Sequence, residues 1–202
     1  MTLDRLRPVA NRMLSPSVAI ADRIGLTPNA VSVLAFATAC GAAVAFYLGG
    51  DEPLWYLAGA LLVLANGWLD LLDGALAREQ NVASKAGDLL DHVLDRYADI
   101  VIIAGLAAGI GRYGIGLAAV TGVLMTSYLG TQAQAVGLDR VYGGVLGRAD
   151  RLVLVGIVGA VVAFVPEPIA GLTLVGWLLV LFAVVGHLTA LQRFASAMRT
   201  ME

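Results

Sequence analysis

Six aspartates, Asp70, Asp73, Asp88, Asp91, Asp95 and Asp99, crowd into residues 70–99. At helical spacing they form two stripes. Asp70, Asp73, Gly74, Ala77 and Arg78 stand at i, i+3, i+4, i+7 and i+8, along one side of a helix. Asp88, Asp91, Asp95 and Asp99 stand at i, i+3, i+7 and i+11 of a second helix. A short loop between the two lets the stripes face each other. Asp70, Asp73, Asp91 and Asp95 would then repel unless a cation neutralises them. Carboxylate-only ligands suit hard, oxygen-seeking ions such as Mg²⁺, Mn²⁺ or Ca²⁺, with substrate phosphates completing the shell. Two such ions balance four carboxylates, and no thiol or histidine cluster competes for a softer metal. Gly74, Ala77 and Gly87 leave backbone bare beside the acids, where a flat ligand such as a nucleobase can lie. Arg78, one turn beyond Gly74, offers a fork of donors to a phosphate oxygen. These residue types point to metal-assisted phosphate chemistry, with a carboxylate to take a proton from a hydroxyl.

The elements that must position these acids are membrane helices. Hydrophobic residues make up 59% of the 202, charged residues 14%, and the mean hydropathy is +0.82, which excludes an ordinary soluble globule. A net charge of −2 gives no general affinity for nucleic acid. The length fits one domain, 1–202, divided into a surface segment, 1–25, and a membrane core, 26–202. Six stretches reach the length needed to cross the hydrocarbon core: 29–49, 54–78, 88–110, 113–136, 150–165 and 169–192. Breaker signals separate them, among them Gly49-Gly50-Asp51-Glu52-Pro53, Glu79–Lys85, Gly111-Arg112, Gly137–Gly147 and Pro166-Glu167-Pro168. The segment 1–25 interleaves Arg5, Arg7, Arg12 and Arg23 with apolar residues, and Pro8 and Pro16 interrupt it. It reads as an amphipathic helix lying on the membrane surface rather than as a cleavable signal. The lone cysteine, Cys40, reads as a small buried hydrophobe. Glycines such as Gly105, Gly109, Gly116, Gly156, Gly159 and Gly176 suggest close helix packing.

Basic residues set the orientation. Of the 13 Lys and Arg, all but Arg112 fall in the N-terminal segment, near the second and fourth loops, or at the C-terminus. Both termini and those two loops are therefore expected on the cytoplasmic side. Trp55 and Tyr56 suit an aromatic belt at the outer interface. The acids cluster at the cytoplasmic ends of the second and third spans. A carboxylate inside a membrane helix costs at least about 2.5–3.5 kcal/mol, so it is read as functional.

These residues resemble the CDP-alcohol phosphotransferases, whose signature runs D-x-x-D-G-x-x-A-R-x8-G-x3-D-x3-D. Asp70, Asp73, Gly74, Ala77 and Arg78, then eight residues, then Gly87, Asp91 and Asp95 fill every fixed position. Leu26-Thr27-Pro28-Asn29 before the first span is similar to a frequent opening of the family. The resemblance implies transfer of a lipid phosphate from a CDP-lipid to a small alcohol, with release of CMP. It implies that Asp70, Asp73, Asp91 and Asp95 hold metal, with two Mg²⁺ or Mn²⁺ ions expected, and that Asp95 is the catalytic base. It further implies that Asp70, Asp73, Gly74, Ala77, Arg78 and Gly87 bind the CDP moiety, in a homodimeric enzyme of the cytoplasmic membrane.

Arg148 and Arg151 open the fifth span and Arg193 closes the sixth. They are expected either to anchor topology or to bind a phosphate on the acceptor, since arginine suits bidentate phosphate recognition. Family members that use inositol phosphate resemble this chain there. They differ after Ser127-Tyr128, where a lysine and an arginine stand in place of Leu129-Gly130-Thr131-Gln132-Ala133-Gln134. Inositol phosphate and glycerol phosphate are thus both expected acceptors, with an unphosphorylated alcohol such as serine as the alternative. Asp88 reads as either a neighbour of the metal site or a solvated helix-start acid, Asp99 as a partner for an arginine such as Arg96, and His92 as a solvated headgroup-level side chain. Gly143-Gly144 and Gly147 form a loop without the Lys-Ser/Thr of a phosphate-cradling turn. A reading from another class makes the aspartates the lining of a cation path in a transporter or channel; the absence of polar residues in the outer halves of the spans weighs against it.

Overall fold

Thr27 and Pro28 start the first long helix by local chemistry. Thr27 is extended, its hydroxyl accepts from the Ala30 N–H at 3.3 Å, and Pro28 takes the first helical position, where a missing N–H costs nothing. In the computed structural model, which describes residues 7–139 and 146–201 (backbone only for 7–12), seven helices are found among the described residues. They are α1 (Arg7–Arg23), α2 (Pro28–Leu48), α3 (Leu54–Glu79), α4 (Lys85–Gly109), α5 (Tyr113–Ala135), α6 (Arg148–Val162) and α7 (Leu174–Met201). The fold is all-helical. Arg140, Gly143 and Gly144 lie outside the described residues, as do the side chains of Arg5, Arg7, Arg12 and Pro8.

α2, α3 and α4 form one packed unit, α5 lies along α7, and α6 packs on α3 and less extensively on α7. Their shared core is apolar and sealed: Phe46, Val63, Ile102, Leu106, Val123, Val162, Val175, Leu179 and Phe182 are all at most 3% exposed. Glycine permits the closest approach. A Cβ on Gly105 would lie 2.3 Å from the Ala43 carbonyl oxygen, and one on Gly109 2.3 Å from that of Phe46, so α2 and α4 touch backbone to backbone. Gly156 does not serve this purpose, because a Cβ there meets nothing within 4 Å.

Outward faces are as apolar as the core. Leu61, Leu64, Leu117, Ile157 and Leu191 are each more than half exposed, a surface that water would not tolerate and lipid would. Among the described residues four helices, α2, α3, α5 and α7, are long and apolar enough to cross a membrane. α4 and α6 miss that threshold for identifiable reasons. α4 carries Asp88, Asp91, Asp95, Arg96 and Asp99 within its first fifteen residues, while α6 has only 15 residues, about 22 Å of rise.

Two boundaries differ from expectation. The last helix begins at Leu174 rather than 169, because Ile169–Leu172 closes a tight turn through Ala170 and Gly171, both at positive φ, with Trp177 Nε1 donating to the Ile169 carbonyl at 2.9 Å. It also runs on to Met201, well past 192. Pro16 does not break α1, which continues through it. Leu14, Val18 and Ala21 form a buried stripe of α1 against Leu72 and Leu76 of α3, while Met13, Ile20 and Ile24 stay more than 60% exposed. Such a helix, docked on one side and apolar on another, suits the membrane surface. Gln80 fastens it, donating from Nε2 to Asp22 Oδ1 and to the Leu26 carbonyl, each at 3.0 Å.

Candidate active site

The loop between α3 and α4 is only five residues, 80–84, and both helices pack on α2, so the acids near the loop converge although the helices themselves scarcely touch. α4 starts where Ser84 turns: its Oγ accepts from the Gly87 N–H at 3.1 Å, and Asp88 in the first turn complements the helix dipole. From there Asp91 and Asp95 point toward α3. Asp70, Asp91 and Asp95 each present a carboxylate oxygen within 4.8 Å of the others. An ion with ligand distances of about 2.0–2.6 Å can touch oxygens spaced that way, so the donor set fits a divalent oxygen-seeking cation.

Asp73 stands apart from that group. It is 6% exposed, and its Oδ2 accepts from Ser32 Oγ of α2 at 2.6 Å, a buried charge-assisted bond. Sequence reasoning passed over Ser32, and no signal in the chain pairs two residues 41 positions apart. Asp88 also stays out of the cluster: its side chain is 76% exposed and lies 3.5 Å from His92 Nδ1, as befits a solvated helix-start acid.

The residues expected to bind CDP stand beside these acids in the chain, Gly74, Ala77 and Arg78 on α3 and Gly87 in the first turn of α4. A Cβ added to Gly74 would meet only Arg78 Nη1, at 3.5 Å, and one on Gly87 only Ser84 Oγ at 3.4 Å and Asn29 Oδ1 at 3.5 Å. Protein packing therefore does not demand glycine at either place, and the space beside them is available to a ligand. Arg78 curls back over Gly74 from the next turn, next to Ala77.

Of the three arginines, Arg148 and Arg151 reach the acids from α6 while Arg193 of α7 turns to α5, and each has a protein partner. Arg148 bridges the cluster, with Nη1 2.8 Å from Asp70 Oδ2 and Nη2 2.8 Å from Asp95 Oδ1. Arg151 Nη2 donates to Asp99 Oδ2 at 2.8 Å. Arg193, 8% exposed, donates from Nη1 to the Thr126 carbonyl at 2.6 Å. Arg148 thus belongs to the carboxylate cluster as much as to any acceptor pocket. The pairing expected for Asp99 is richer than anticipated: Arg151 is its close partner, while Arg96 Nη2 lies at 3.7 Å from Asp99 and 3.6 Å from Asp95, with Arg96 Nη1 donating to Ser127 Oγ.

Comparison with known proteins agrees with this geometry. The chain is 33% identical to the archaetidylinositol phosphate synthase of Methanothermobacter thermautotrophicus, over 95% of this chain and 91% of that protein. It is 37% identical to the phosphatidylinositol phosphate synthase of Mycolicibacterium smegmatis, over 96% of this chain and 83% of that one. Its fold matches the crystal structure of the Mycobacterium tuberculosis phosphatidylinositol phosphate synthase with CDP-DAG bound. The TM-score is 0.78 at 28% identity, with 92% of this chain and 94% of the other covered. A second structure of that enzyme, in complex with manganese and citrate, matches with a TM-score of 0.79, covering 92% of this chain and 88% of the other. The family model for CDP-alcohol phosphatidyltransferase spans residues 25–189, which takes in all seven carboxylate, glycine and alanine positions of the signature together with Arg78. Between an enzyme and a cation path, the two readings that membrane aspartates leave open, these matches decide: the chain belongs to the CDP-alcohol phosphatidyltransferase family.

Proposed function

We propose that the chain transfers the lipid phosphate of a CDP-lipid to a polyol phosphate, of which inositol phosphate is the first candidate, releasing CMP. The observation that carries this reading is the meeting of Asp70, Asp91 and Asp95 with the guanidinium of Arg148 in one cleft. The two relatives named above differ in the lipid they are named for, archaetidyl or phosphatidyl, but share inositol phosphate. That favours the acceptor class and leaves the lipid open.

In this reading the single membrane domain, 1–202, crosses six times through α2–α7, with α1 on the surface and both termini in the cytoplasm. The chain is a homodimer of the cytoplasmic membrane with its cleft on the cytoplasmic side. Asp70, Asp73, Asp91 and Asp95 hold two Mg²⁺ or Mn²⁺ ions, which supply Lewis-acid polarisation of the diphosphate. Gly74, Ala77 and Gly87 receive the cytidine against bare backbone, and Arg78 contacts the diphosphate. Asp95 takes the proton from the acceptor hydroxyl as its oxygen attacks the lipid-side phosphorus. The bond from that phosphorus to the bridging oxygen breaks, and CMP leaves with the electron pair. Arg148, Arg151 and Arg193 hold the acceptor phosphate.

The test is CMP release from labelled CDP-lipid by purified protein with inositol phosphate, glycerol phosphate or serine. Turnover with a phosphorylated polyol, and a rise of about tenfold or more in its KM when Arg148 or Arg193 becomes Ala, is expected. Turnover with serine alone would return the arginines to topology anchors.

A further inference from the structure

Arg148 and Arg151 lie one turn apart on α6, and Asp95 and Asp99 one turn apart on α4. They pair rung by rung, Arg148 with Asp95 and Arg151 with Asp99, each at 2.8 Å. The rungs differ in exposure. The side chains of the shallower one are 15% and 17% exposed, those of the deeper one 7% and 5%. The shallow rung is the more open to a ligand, and the deep rung is the more enclosed.

We propose that Asp99, which lies outside the signature, is a positioning residue for acceptor recognition. It fixes Arg151, and through it the register of α6 that places Arg148 over the reacting carboxylates. Three observations support this. α6 is the shortest of the described helices, 15 residues, and packs mainly on α3, so its rotation against α4 rests on these pairs. Arg151 Nε and Arg148 Nε are both buried without a partner, so each guanidinium is oriented by its η nitrogens and keeps a donor unspent. Arg96, between Asp95 and Asp99 at 3.6 and 3.7 Å, is shared by the two acids, so Asp99 also draws that cation partly away from the base. Stability alone gives little reason for a sealed ion pair, since a neutral pair of similar shape often serves as well. The inference rests on the proposed acceptor reading.

The experiment measures steady-state kinetics of wild type, Asp99→Asn, Arg151→Gln and the double variant, with CDP-lipid and inositol phosphate as substrates. Asp99→Asn is expected to raise the KM for inositol phosphate about tenfold or more while changing the CDP-lipid KM little. In the Arg151→Gln background the same substitution should add nothing, because Asp99 acts through Arg151. If Asp99→Asn fails to fold, the neutral double variant is compared with wild type: a raised acceptor KM at an unchanged CDP-lipid KM sustains the proposal, and wild-type values of both overturn it. Unchanged acceptor KM in Asp99→Asn, or a further rise in the double variant, overturns it while leaving the acceptor reading in place. Wild-type turnover with serine but not with inositol phosphate defeats the acceptor reading itself.

Discussion

Asp70, Asp91 and Asp95 share one space, yet their substitutions should separate by role. In the proposed roles Asp70→Asn or Asp91→Asn removes a metal ligand and is expected to abolish turnover and weaken Mn²⁺ binding, measured by titration in detergent. Asp95→Asn is expected to remove turnover while sparing CDP-lipid binding, because in the proposed roles its share in holding metal is secondary to its work as the base. Wild-type rates in that variant would move the base elsewhere. Gly74 allows a sharper test. The protein leaves room for a Cβ there, and glycine in a helix costs about 1 kcal/mol relative to alanine. Gly74→Ala should therefore raise the melting temperature and at the same time weaken CDP-lipid binding. A variant that binds CDP-lipid normally would show that the cytidine lies elsewhere. Ser32→Ala removes the donor to buried Asp73, a bond of a kind worth about 1.5–3 kcal/mol, and supporting bonds to metal ligands typically matter about 10–100-fold in affinity or activity. Here the sequence was only partly legible. The acids announced themselves by spacing within two helices, whereas Ser32 with Asp73 and Arg151 with Asp99 are contacts across 41 and 52 positions, which helical periodicity cannot encode.

The helices follow from shorter-range physics, and most of their limits were legible. Thr27-Pro28 starts α2 through a side-chain cap, whereas the Ser84 cap starts α4 three residues before the expected 88, and α3 and α4 are brought together by packing on α2 rather than on each other. What hydropathy alone misjudges is α4, whose first half gives up apolar character to hold the site, and the start of α7, displaced by the Ile169–Leu172 turn. Nor could composition tell which glycines bring helices together. Gly105 faces the α2 backbone and Gly156 faces open space, although both are glycines within apolar helices. Their substitutions should diverge. Gly105→Val places carbon 2.3 Å from the Ala43 carbonyl and must push α2 off α4; overpacking of this kind costs about 1–3 kcal/mol or more. Because α2 carries Ser32 and α4 carries Asp91 and Asp95, activity should fall along with thermal stability. Gly156→Ala should leave both near wild type, and an equal loss in the two variants would mean that α2 and α4 do not approach so closely.

At the scale of the whole molecule, the distribution of charge carries the argument about sidedness. The carboxylate cluster, Arg78, Arg148, Arg193 and Arg199 gather at one end of the bundle, while Arg112 sits alone between α4 and α5 at the other. The orientation proposed from the positive-inside rule would put the carboxylates on the cytoplasmic side, where CMP could leave and a charged, membrane-impermeant polyol phosphate could arrive. Alternate crossings by α2–α7 require residue 112 to be outside and residue 200 inside, although α4 and α6 are not apolar enough to be recognised as spans by hydropathy. The single cysteine makes this measurable. Cys40 is half-buried in α2 and can be replaced by Ala, after which Arg112→Cys and Thr200→Cys, both at exposed positions, are made one at a time. A membrane-impermeant maleimide applied to intact spheroplasts should label residue 112 and leave residue 200 unlabelled until the membrane is opened. Labelling of both from outside would mean that α4 or α6 fails to cross. Labelling of residue 200 alone would invert the protein and put the carboxylates on the side where no cytoplasmic acceptor could reach them.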